Sequence, residues 1–277
     1  MSDGRAIGVF DSGLGGLTVV KEIIKKLPNE NIVYFGDTGR VPYGTRSSDT
    51  IRKYALEDEN FLLSHNVKLI VAACGTVSSV AADTADGLPV PFVEVVSHSV
   101  KAAIAATKHK KIGILGTAAT ISSGAHRKQI LNLLPDAEVY QNSAPLFVPL
   151  VEEGWYSADD VVVLNTVERY LKPLLEKGID TLILGCTHYP VLSEAIAKIA
   201  GDKVTLINMG VPVSEYVKEY LAANDMLNSQ KGGQTNFFVS DKADSFRNIA
   251  SILLGEEIDE NKVKQVSIGI YDEGCTD

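Results

Sequence analysis

Cysteine is scarce in this sequence, with three residues among 277. An odd number at wide spacings does not suit a disulfide framework, so reduced thiols in a cytoplasmic protein are the better interpretation. Two of them, Cys74 and Cys186, nevertheless stand in matching places, each directly after a run of residues that favour β-structure. The third, Cys275, lies at the carboxyl-terminal end. The matching pair therefore needs an explanation.

Long apolar runs and an excess of basic residues are missing as well. No apolar run approaches the 18 residues that indicate a transmembrane helix, and the first residues lack the pattern of a signal peptide. The formal net charge is −9, which argues against binding to a nucleic-acid backbone, because that binding depends on clustered cations. We therefore expect no membrane and no direct nucleic-acid partner. A small anionic ligand stays possible, since local donors decide its binding.

Short apolar runs alternate with longer amphipathic stretches along the chain. Buried strands are predicted over Ile7–Phe10, Ile32–Phe35, Leu69–Ala73, Pro91–Val95, Ile112–Leu115, Ala137–Tyr140, Leu182–Leu184, Val204–Ile207 and Thr235–Val239. Helices are predicted over Thr18–Leu27, Ser48–Ser64, Val96–Thr107, Ser123–Leu134, Ser157–Glu176, Val191–Ala200, Val213–Leu221 and Lys242–Leu253. This alternation indicates an α/β protein built from βαβ units, with mostly parallel sheets.

A weak internal sequence repeat suggests that the chain has two related halves. The segment from Ile7 to Gly13 resembles the one from Ile112 to Ala118, an offset of 112 − 7 = 105 residues. The two cysteine segments are separated by a similar offset, 186 − 74 = 112 residues. The chain length also fits about two domains. We expect two halves packed closely together, because no low-complexity linker separates them.

Both cysteines are predicted to lie at the carboxyl ends of strands, where ligands gather in parallel α/β sheets. A thiol at a strand-to-helix turn lies near a helix N-terminus, whose partial positive charge lowers the thiol pKa from about 8.5. Such a thiolate can act as a nucleophile or as a base. A single buried cysteine is more often a small apolar residue in a core. Two in matching places, each beside hydroxylic residues, favour chemistry.

Other kinds of site compete for the same residues. Cys74, Cys186 and His188 supply three possible metal ligands, whereas a structural zinc site usually has four at tight spacing. Cys186 with His188 could form the nucleophile and base of a hydrolase, but Cys74 would then have no role. The glycine-rich stretch from Gly13 to Gly16 is neither a dinucleotide fingerprint nor a Walker loop, and a tight anion-accepting turn suits it better.

The remaining polar candidates are less patterned. Asp11, just before the glycine-rich turn, would repel a phosphate, but it could hold an amine or polarise a thiol. Glu152 is either a solvated loop carboxylate or a group that faces a cleft. The other histidines have no patterned context and are expected on the surface or in the core with satisfied hydrogen bonds: His65, His98, His109 and His126.

Five segments, in order across nearly the whole chain, resemble the glutamate racemase family of the aspartate/glutamate racemase superfamily. They are FDSGLGGLTV (10–19), YFGDTGRVPYG (34–44), the Cys74 turn, PLFVPLVEEG (145–154) and LGCTHYP (184–190). The resemblance implies two pseudo-symmetric, doubly wound α/β domains with the active site in the cleft between them. One domain would comprise residues 1–97 with a returning segment 208–277, and the other residues 98–207.

The resemblance also implies a two-base mechanism without any cofactor or metal. Cys74 and Cys186 would exchange the α-proton on opposite faces of glutamate, with Asp11 assisting Cys74, His188 assisting Cys186, and Glu152 as a further acid–base helper. The residues that would bind the substrate are Asp11, Ser12, Pro42, Tyr43, Gly44, Gly75, Thr76, Thr117, Thr120, Thr187 and His188. Hydroxyls and backbone N–H groups would hold its carboxylates and ammonium at Ser12, Tyr43, Gly44, Thr76, Thr117, Thr120 and Thr187. Such enzymes supply D-glutamate for peptidoglycan, usually as cytoplasmic homodimers.

The sequence departs from the family most clearly at Gly75, where the family's turn is typically Cys-Asn-Thr. Losing a hydrogen bond to a charged group costs about 1.5–3 kcal/mol, or roughly tenfold to somewhat over a hundredfold in affinity. Asn208-Met209-Gly210 replaces an Asp-led turn, and Ala144 replaces a frequent non-catalytic cysteine. These changes leave two alternatives open.

One alternative is a racemase for another acidic amino acid, such as aspartate. The other is an amino-acid-binding or partner-binding protein with weak catalysis, since some relatives are reported to bind DNA gyrase. The retained cysteines, with Asp11 and His188, speak against the second alternative.

Overall fold

The computed structural model describes residues 2–241, 243–255 and 257–268. In these ranges the strands are β1 (Ile7–Asp11), β2 (Ile32–Gly36), β3 (Leu69–Ala72), β4 (Phe92–Glu94), β5 (Lys111–Gly116), β6 (Glu138–Ser143), β7 (Thr181–Gly185), β8 (Thr205–Asn208), β9 (Thr235–Val239) and β10 (Val263–Gln265). The α-helices are α1 (Leu17–Lys26), α2 (Ser48–Ser64), α3 (Gly75–Val80), α4 (Val95–Ala106), α5 (Ala118–Ser123), α6 (Ala125–Leu133), α7 (Phe147–Glu152), α8 (Val161–Leu175), α9 (Ser193–Ala200), α10 (Gly210–Ala223) and α11 (Ala243–Leu254).

The strands form two parallel sheets with the same central order. The first sheet runs β10-β9-β2-β1-β3-β4 and the second runs β6-β5-β7-β8, and neighbouring strands pair in parallel throughout both. The order β2-β1-β3-β4 thus repeats as β6-β5-β7-β8. In this repeat β5 occupies the position of β1, and β7 occupies that of β3, in agreement with the internal repeat of the sequence. The predicted α/β class with parallel sheets is confirmed.

Burial on both faces of the sheets explains why the sequences of the strands are continuous apolar runs. Every residue of β1, β2, β3 and β7 is buried, as expected where helices cover both faces of a parallel sheet. The largest apolar core contains residues of both sheets, including Val9 and Val71 from the first and Leu115 and Leu184 from the second. The two halves therefore pack against each other through a common apolar core. Among the described helices, none combines the length and apolarity needed to cross a membrane.

The structure corrects several predicted boundaries. Helix α8 was predicted to begin at Ser157, but it begins at Val161, because the Asp160 side chain accepts hydrogen bonds from the backbone N–H groups of Val162 and Val163 and so caps the helix. The short elements α3, α5, α7 and β10 were not predicted, since six residues or fewer carry too little periodicity. Lys242, the predicted start of the last helix, lies outside the described residues.

A buried ion pair joins four segments at the amino end of the first sheet. The Lys68 Nζ, which is fully buried, lies 2.5 Å from the Glu30 carboxylate and donates hydrogen bonds to the carbonyls of Asp3 and Met226, at 2.8 and 2.7 Å. The other Glu30 oxygen accepts from the backbone N–H of Asn228 at 2.8 Å. Each buried charge is therefore compensated by the partner and by backbone groups, as burial of an ion requires.

Removing one partner of this pair should destabilise the fold strongly. We expect Lys68→Met to lower the free energy of unfolding by about 3–5 kcal/mol, because it leaves Glu30 buried without a counter-charge. Chemical denaturation monitored by circular dichroism measures the change. The double variant Glu30→Leu/Lys68→Met should recover much of the loss, since two apolar residues leave no uncompensated charge. Wild-type stability in the single variant would contradict this interpretation.

Candidate active site

A cavity of about 410 Å³ lies at the carboxyl ends of both sheets. Its walls come from the segments that follow β1, β2 and β3 of the first sheet and β5, β6 and β7 of the second. The lining residues are Ser12, Val41, Pro42, Tyr43, Gly44, Thr45, Cys74, Gly75, Thr76, Thr117, Ala118, Pro145, Val148, Pro149, Glu152, Cys186, Thr187 and His188. Both halves thus contribute to one site, and both cysteines reach it.

Cys74 lies where β3 passes into α3 and occupies the N-cap position of that helix. Its Sγ contacts the Ser12 Oγ at 3.6 Å. The predicted lowering of its pKa is wrong: burial, reinforced by the nearby Asp11 carboxyl, raises the thiol pKa to about 12. The six-residue helix has too small an effect to offset the loss of solvation. Cys74 is therefore a protonated thiol in the ligand-free protein at neutral pH.

Cys186 has a different neighbour, although it occupies the corresponding strand end. It follows β7 and precedes a 3₁₀ turn, Tyr189–Leu192, rather than an α-helix. Its Sγ lies 3.8 Å from the Nδ1 of His188, whose Nε2 lies 3.1 Å from a Glu152 oxygen. Burial lowers the His188 pKa, but Cys186 and Glu152 outweigh it and raise that pKa to about 10. The ring is thus positively charged at neutral pH and attracts negative charge to the Cys186 sulfur.

Asp11 lies behind the cavity rather than in its wall. The side chain is fully buried at the end of β1, and its two oxygens accept from the Gly13 N–H at 3.0 Å and from the Thr187 hydroxyl at 3.3 Å. Burial raises the Asp11 pKa, and the nearby His188 opposes that rise. The direct substrate contact that the sequence predicts for Asp11 stays a prediction, and in the ligand-free protein the side chain is not part of the cavity lining. The carboxyl can still act on Cys74 and Thr187.

Three threonines form a hydroxyl chain across the cleft. The Thr76 and Thr117 hydroxyls lie 3.1 Å apart, and the Thr117 hydroxyl lies 3.0 Å from that of Thr120. Thr76 belongs to the first half and Thr117 to the second, so this contact joins the halves beside the cavity. Thr120 is buried and is absent from the cavity lining. Its contact orients the Thr117 hydroxyl, and direct contact of Thr120 with substrate stays a prediction.

Tyr43 contributes to the cavity wall, but its hydroxyl is engaged elsewhere. The hydroxyl donates to the Asp37 carboxylate through a short hydrogen bond and lies 3.0 Å from an oxygen of Asp58. The predicted contact between Tyr43 and substrate stays a prediction, and the ring and backbone of Tyr43 are the parts that remain for it.

Two glycines let the halves approach closely. A Cβ on Gly15 would lie 2.4 Å from the Thr187 Oγ1 and 2.5 Å from the His188 Nδ1, and a Cβ on Gly75 would lie 2.6 Å from the carbonyl oxygen of Gly185. Real Cβ atoms essentially never come this near other atoms. The glycine-rich turn after β1 thus packs directly on the loop that carries His188. Gly75 packs on the residue just before Cys186.

Part of the wall was not identified from the sequence. Five of the lining residues are apolar ones that the sequence-based predictions do not name: Val41, Ala118, Pro145, Val148 and Pro149. The last three lie in the segment 145–154, which marked the resemblance without indicating a role. Apolar residues carry no chemical signal in a sequence, so only their position in the fold reveals them.

The other histidines are not among the residues that line the cavity. The expectation of a surface histidine or a core histidine with satisfied hydrogen bonds is wrong for His126: its side chain is buried, and neither ring nitrogen has a hydrogen-bond partner among the described residues. Burial lowers its pKa to about 4. His98 packs on Tyr216 with ring centroids 4.2 Å apart. Within the described ranges, no three His, Cys, Asp or Glu residues form a group that could hold a metal ion.

Comparison with known proteins places this geometry in a family. Residues 7–216 match the family model described as Asp/Glu/Hydantoin racemase. The chain belongs to this racemase family. A glutamate racemase of Geobacter metallireducens is 43% identical over 266 residues, covering 95% of this chain and 97% of that protein. One of Neisseria meningitidis serogroup A is 44% identical over 268 residues, covering 96% and 97%.

Solved racemase structures share the architecture. The crystal structure of glutamate racemase from Francisella tularensis in complex with D-glutamate has a TM-score of 0.90 and 39% identity, covering 97% of this chain and 100% of that one. The two-sheet racemase fold with a cleft between the sheets is therefore that of this chain as well.

The charge on His188 gives a direct test of the site. Replacing Glu152 by Gln should lower the His188 pKa, because it removes one of the two groups that raise it. Nitrogen-15 NMR of the ring during a pH titration measures the shift, and the wild-type ring should stay protonated at about pH 8. Glu153→Gln, which changes the exposed neighbouring carboxylate, should leave the titration unchanged. A wild-type ring that is neutral at that pH would contradict the proposed charge.

Proposed function

We propose that this protein interconverts L- and D-glutamate without a cofactor, using Cys74 and Cys186 as the two acid–base groups. The observation that carries the proposal is that two thiols, from corresponding strand ends of two matching sheets, line one cavity. Relatives more than 40% identical across almost their whole length are named glutamate racemases. One structural neighbour of the same name binds D-glutamate.

Inversion of a stereocentre through a planar carbanion requires a base on one face and an acid on the other. Two thiols that enter the cavity from opposite halves meet this requirement, whereas a hydrolase mechanism would leave Cys74 without a role. A thiol is far less basic than the carbanion, and general base assistance typically contributes about 10²–10⁴ in rate. The rest of the acceleration is assigned to preorganised donors and to exclusion of water.

The surroundings of the two sulfurs suggest their resting roles. Cys74, with its pKa raised to about 12, would begin as the thiol that delivers a proton. Cys186, beside the His188 imidazolium, would begin as the base that removes one. Each turnover in one direction exchanges these states, so the reverse reaction starts from the opposite arrangement.

Glutamate matches the polar groups that the cavity offers. Its carboxylates need hydrogen-bond donors, which the Ser12 hydroxyl and the backbone N–H groups at the start of α3 supply. The Thr187 and Thr117 hydroxyls also line the cavity, but in the ligand-free protein they donate to Asp11 and Thr120. Glu152, which the sequence left undecided, lines the cavity and holds His188. It would assist proton exchange at Cys186 and, as an acidic group in the cavity wall, would attract the substrate ammonium.

The wider role follows from the activity. We propose that the enzyme supplies D-glutamate for peptidoglycan synthesis in the cytoplasm and acts as a homodimer. We also propose that residues 1–97 with 208–277 form one domain and residues 98–207 the other. The membership of β1 to β4, β9 and β10 in one sheet and β5 to β8 in the other supports this division, although β8 extends one residue past the boundary.

Single cysteine variants test the two-thiol mechanism. Cys74→Ser and Cys186→Ser should each lose racemisation by about 10²-fold or more, because a serine hydroxyl is a much weaker acid and base. Circular dichroism follows loss of optical activity for L- and D-glutamate in D₂O without pyridoxal phosphate, and NMR follows α-proton exchange. L-aspartate, run in parallel, tests the alternative substrate. Cys275→Ser is the matched control, and full activity in either test variant would refute the mechanism.

Gly75 provides a test of substrate fit. Gly75→Asn restores the family's usual residue, but its Cβ would meet the Gly185 carbonyl at 2.6 Å, so the halves must separate. We expect kcat/KM for glutamate to fall roughly 5- to 150-fold, which corresponds to the free-energy cost of about 1–3 kcal/mol for inserting extra atoms into a packed site. Gly75→Ala adds the Cβ without the amide and should show a similar loss. A gain in kcat/KM for Gly75→Asn alone would show that the missing amide matters more than the contact.

A further inference from the structure

A buried charged cluster lies behind the wall of the cavity formed by Pro42, Tyr43 and Gly44. We name it the Arg40 cluster; its members are Arg40, Asp37, Glu57, Asp58 and Tyr43. The side chains of Asp37 and Asp58 are fully buried, and that of Arg40 is 22% exposed. Of these residues only Tyr43 lines the cavity, so the proposed catalytic mechanism makes no use of the others.

Arg40 connects the loop that follows β2 with helix α2. Its Nε donates to Asp37 at 2.5 Å and one terminal nitrogen donates to Asp58 at 3.1 Å, while the other contacts Glu57 through a short hydrogen bond. The guanidinium carbon lies 4.1 Å from the centre of the Tyr54 ring. One cation thus faces three carboxyl groups, two of them removed from solvent. Such a group cannot hold three full negative charges at low cost.

The Tyr43 hydroxyl shows which carboxyl carries a proton. This hydroxyl has one hydrogen to donate, yet it lies within hydrogen-bond distance of Asp37 and of Asp58. Asp37 also accepts from Arg40 and from the Ser240 hydroxyl at 2.7 Å, as a carboxylate does. If Tyr43 donates to Asp37, the 3.0 Å contact to Asp58 is favourable only when Asp58 donates its own proton to the phenolic oxygen.

We propose that Asp58 is a buried, protonated carboxylic acid that, with Asp37 and Arg40, positions Tyr43 and so the Pro42–Gly44 wall of the substrate cavity. These three are positioning residues, since only Tyr43 reaches the cavity. The proposal rests on the proposed function only for its kinetic consequence. Burial and the neighbouring Asp37 raise the Asp58 pKa well above its ordinary value, in agreement with the geometry.

Loss of the Asp58 proton would place two anions against one hydroxyl. Three groups of the loop after β2 face Asp58: Asp37, Arg40 and Tyr43. On α2 itself the neighbouring charged group is Glu57, whose carboxylate lies 4.0 Å from the Lys53 ammonium. Asp241, on the segment after β9, bonds Thr38 through its backbone. Because the folded-state pKa of Asp58 is raised, its contribution to stability is present below its unfolded value and is lost as pH rises through the folded value.

Two substitutions separate protonation from mere packing. Asp58→Asn keeps an N–H donor for the Tyr43 oxygen and a carbonyl acceptor for Arg40, whereas Asp58→Leu removes both. We expect Asp58→Leu to raise KM for glutamate about tenfold or more with a smaller change in kcat, and Asp58→Asn to restore KM to near the wild-type value. Should Asp58→Leu fail to fold, Tyr43→Phe gives the same comparison by deleting the hydroxyl. Glu59 is the adjacent buried carboxyl, and it accepts a hydrogen bond from the Thr84 hydroxyl rather than from Tyr43. The control variant Glu59→Gln should therefore leave KM unchanged.

Infrared difference spectroscopy tests the protonation without any substrate. At neutral pH, the wild-type-minus-Asp58→Asn spectrum should show the carbonyl band of a protonated acid, and the wild-type-minus-Asp37→Asn spectrum should show carboxylate bands. A carboxylate signal for Asp58, or an Asn variant whose KM rises as much as that of the Leu variant, would overturn the proposal. A wild-type protein that leaves glutamate unchanged would refute the proposed function, while the infrared result would still decide the protonation of Asp58.

Discussion

Close contact between the carboxyl ends of two parallel sheets is the constraint on which the site depends. The turn after β1 packs on the loop after β7 at Gly15, and the start of α3 packs on the end of β7 at Gly75. Both contacts are tight enough to exclude a Cβ atom. They bring Cys74 and Cys186 to one cavity although the two residues lie on different sheets. Without this approach neither thiol would have a partner, and each would be an ordinary buried cysteine.

The two halves match in topology but differ in electrostatics. Cys74 and Cys186 follow the corresponding strands β3 and β7. Cys74 lies near a buried carboxyl in a poorly solvated position that disfavours its thiolate, whereas Cys186 lies beside an imidazolium held by Glu152. Two similar frames thus give the two sulfurs different electrostatic surroundings. The proposed mechanism, which begins with one acid and one base, would use this difference.

Buried ionic groups fix the first sheet at both ends. The pair of Lys68 and Glu30 joins segments at the amino end, and the Arg40 cluster joins the loop after β2 to α2 at the carboxyl end. Each group satisfies its charges with several partners, since an unpaired buried charge would be very costly. The pair at the amino end maintains the fold. The cluster at the carboxyl end lies against the cavity wall and so can influence substrate binding.

The sequence by itself determined the alternation of strands and helices, the duplicated halves and the cysteines at two corresponding strand ends. Those features follow from local periodicity and from residue types at turns, which neighbouring residues specify. Tertiary structure alone decided that Asp11 lies behind the cavity, that the Tyr43 hydroxyl points to Asp37 and Asp58, and that the Cys74 pKa rises. Each of these depends on burial or on contacts between distant segments; Thr187 and Asp11, for example, are 176 residues apart. No local pattern encodes such a contact, because the electrostatic environment of a side chain is created only when the chain has folded around it.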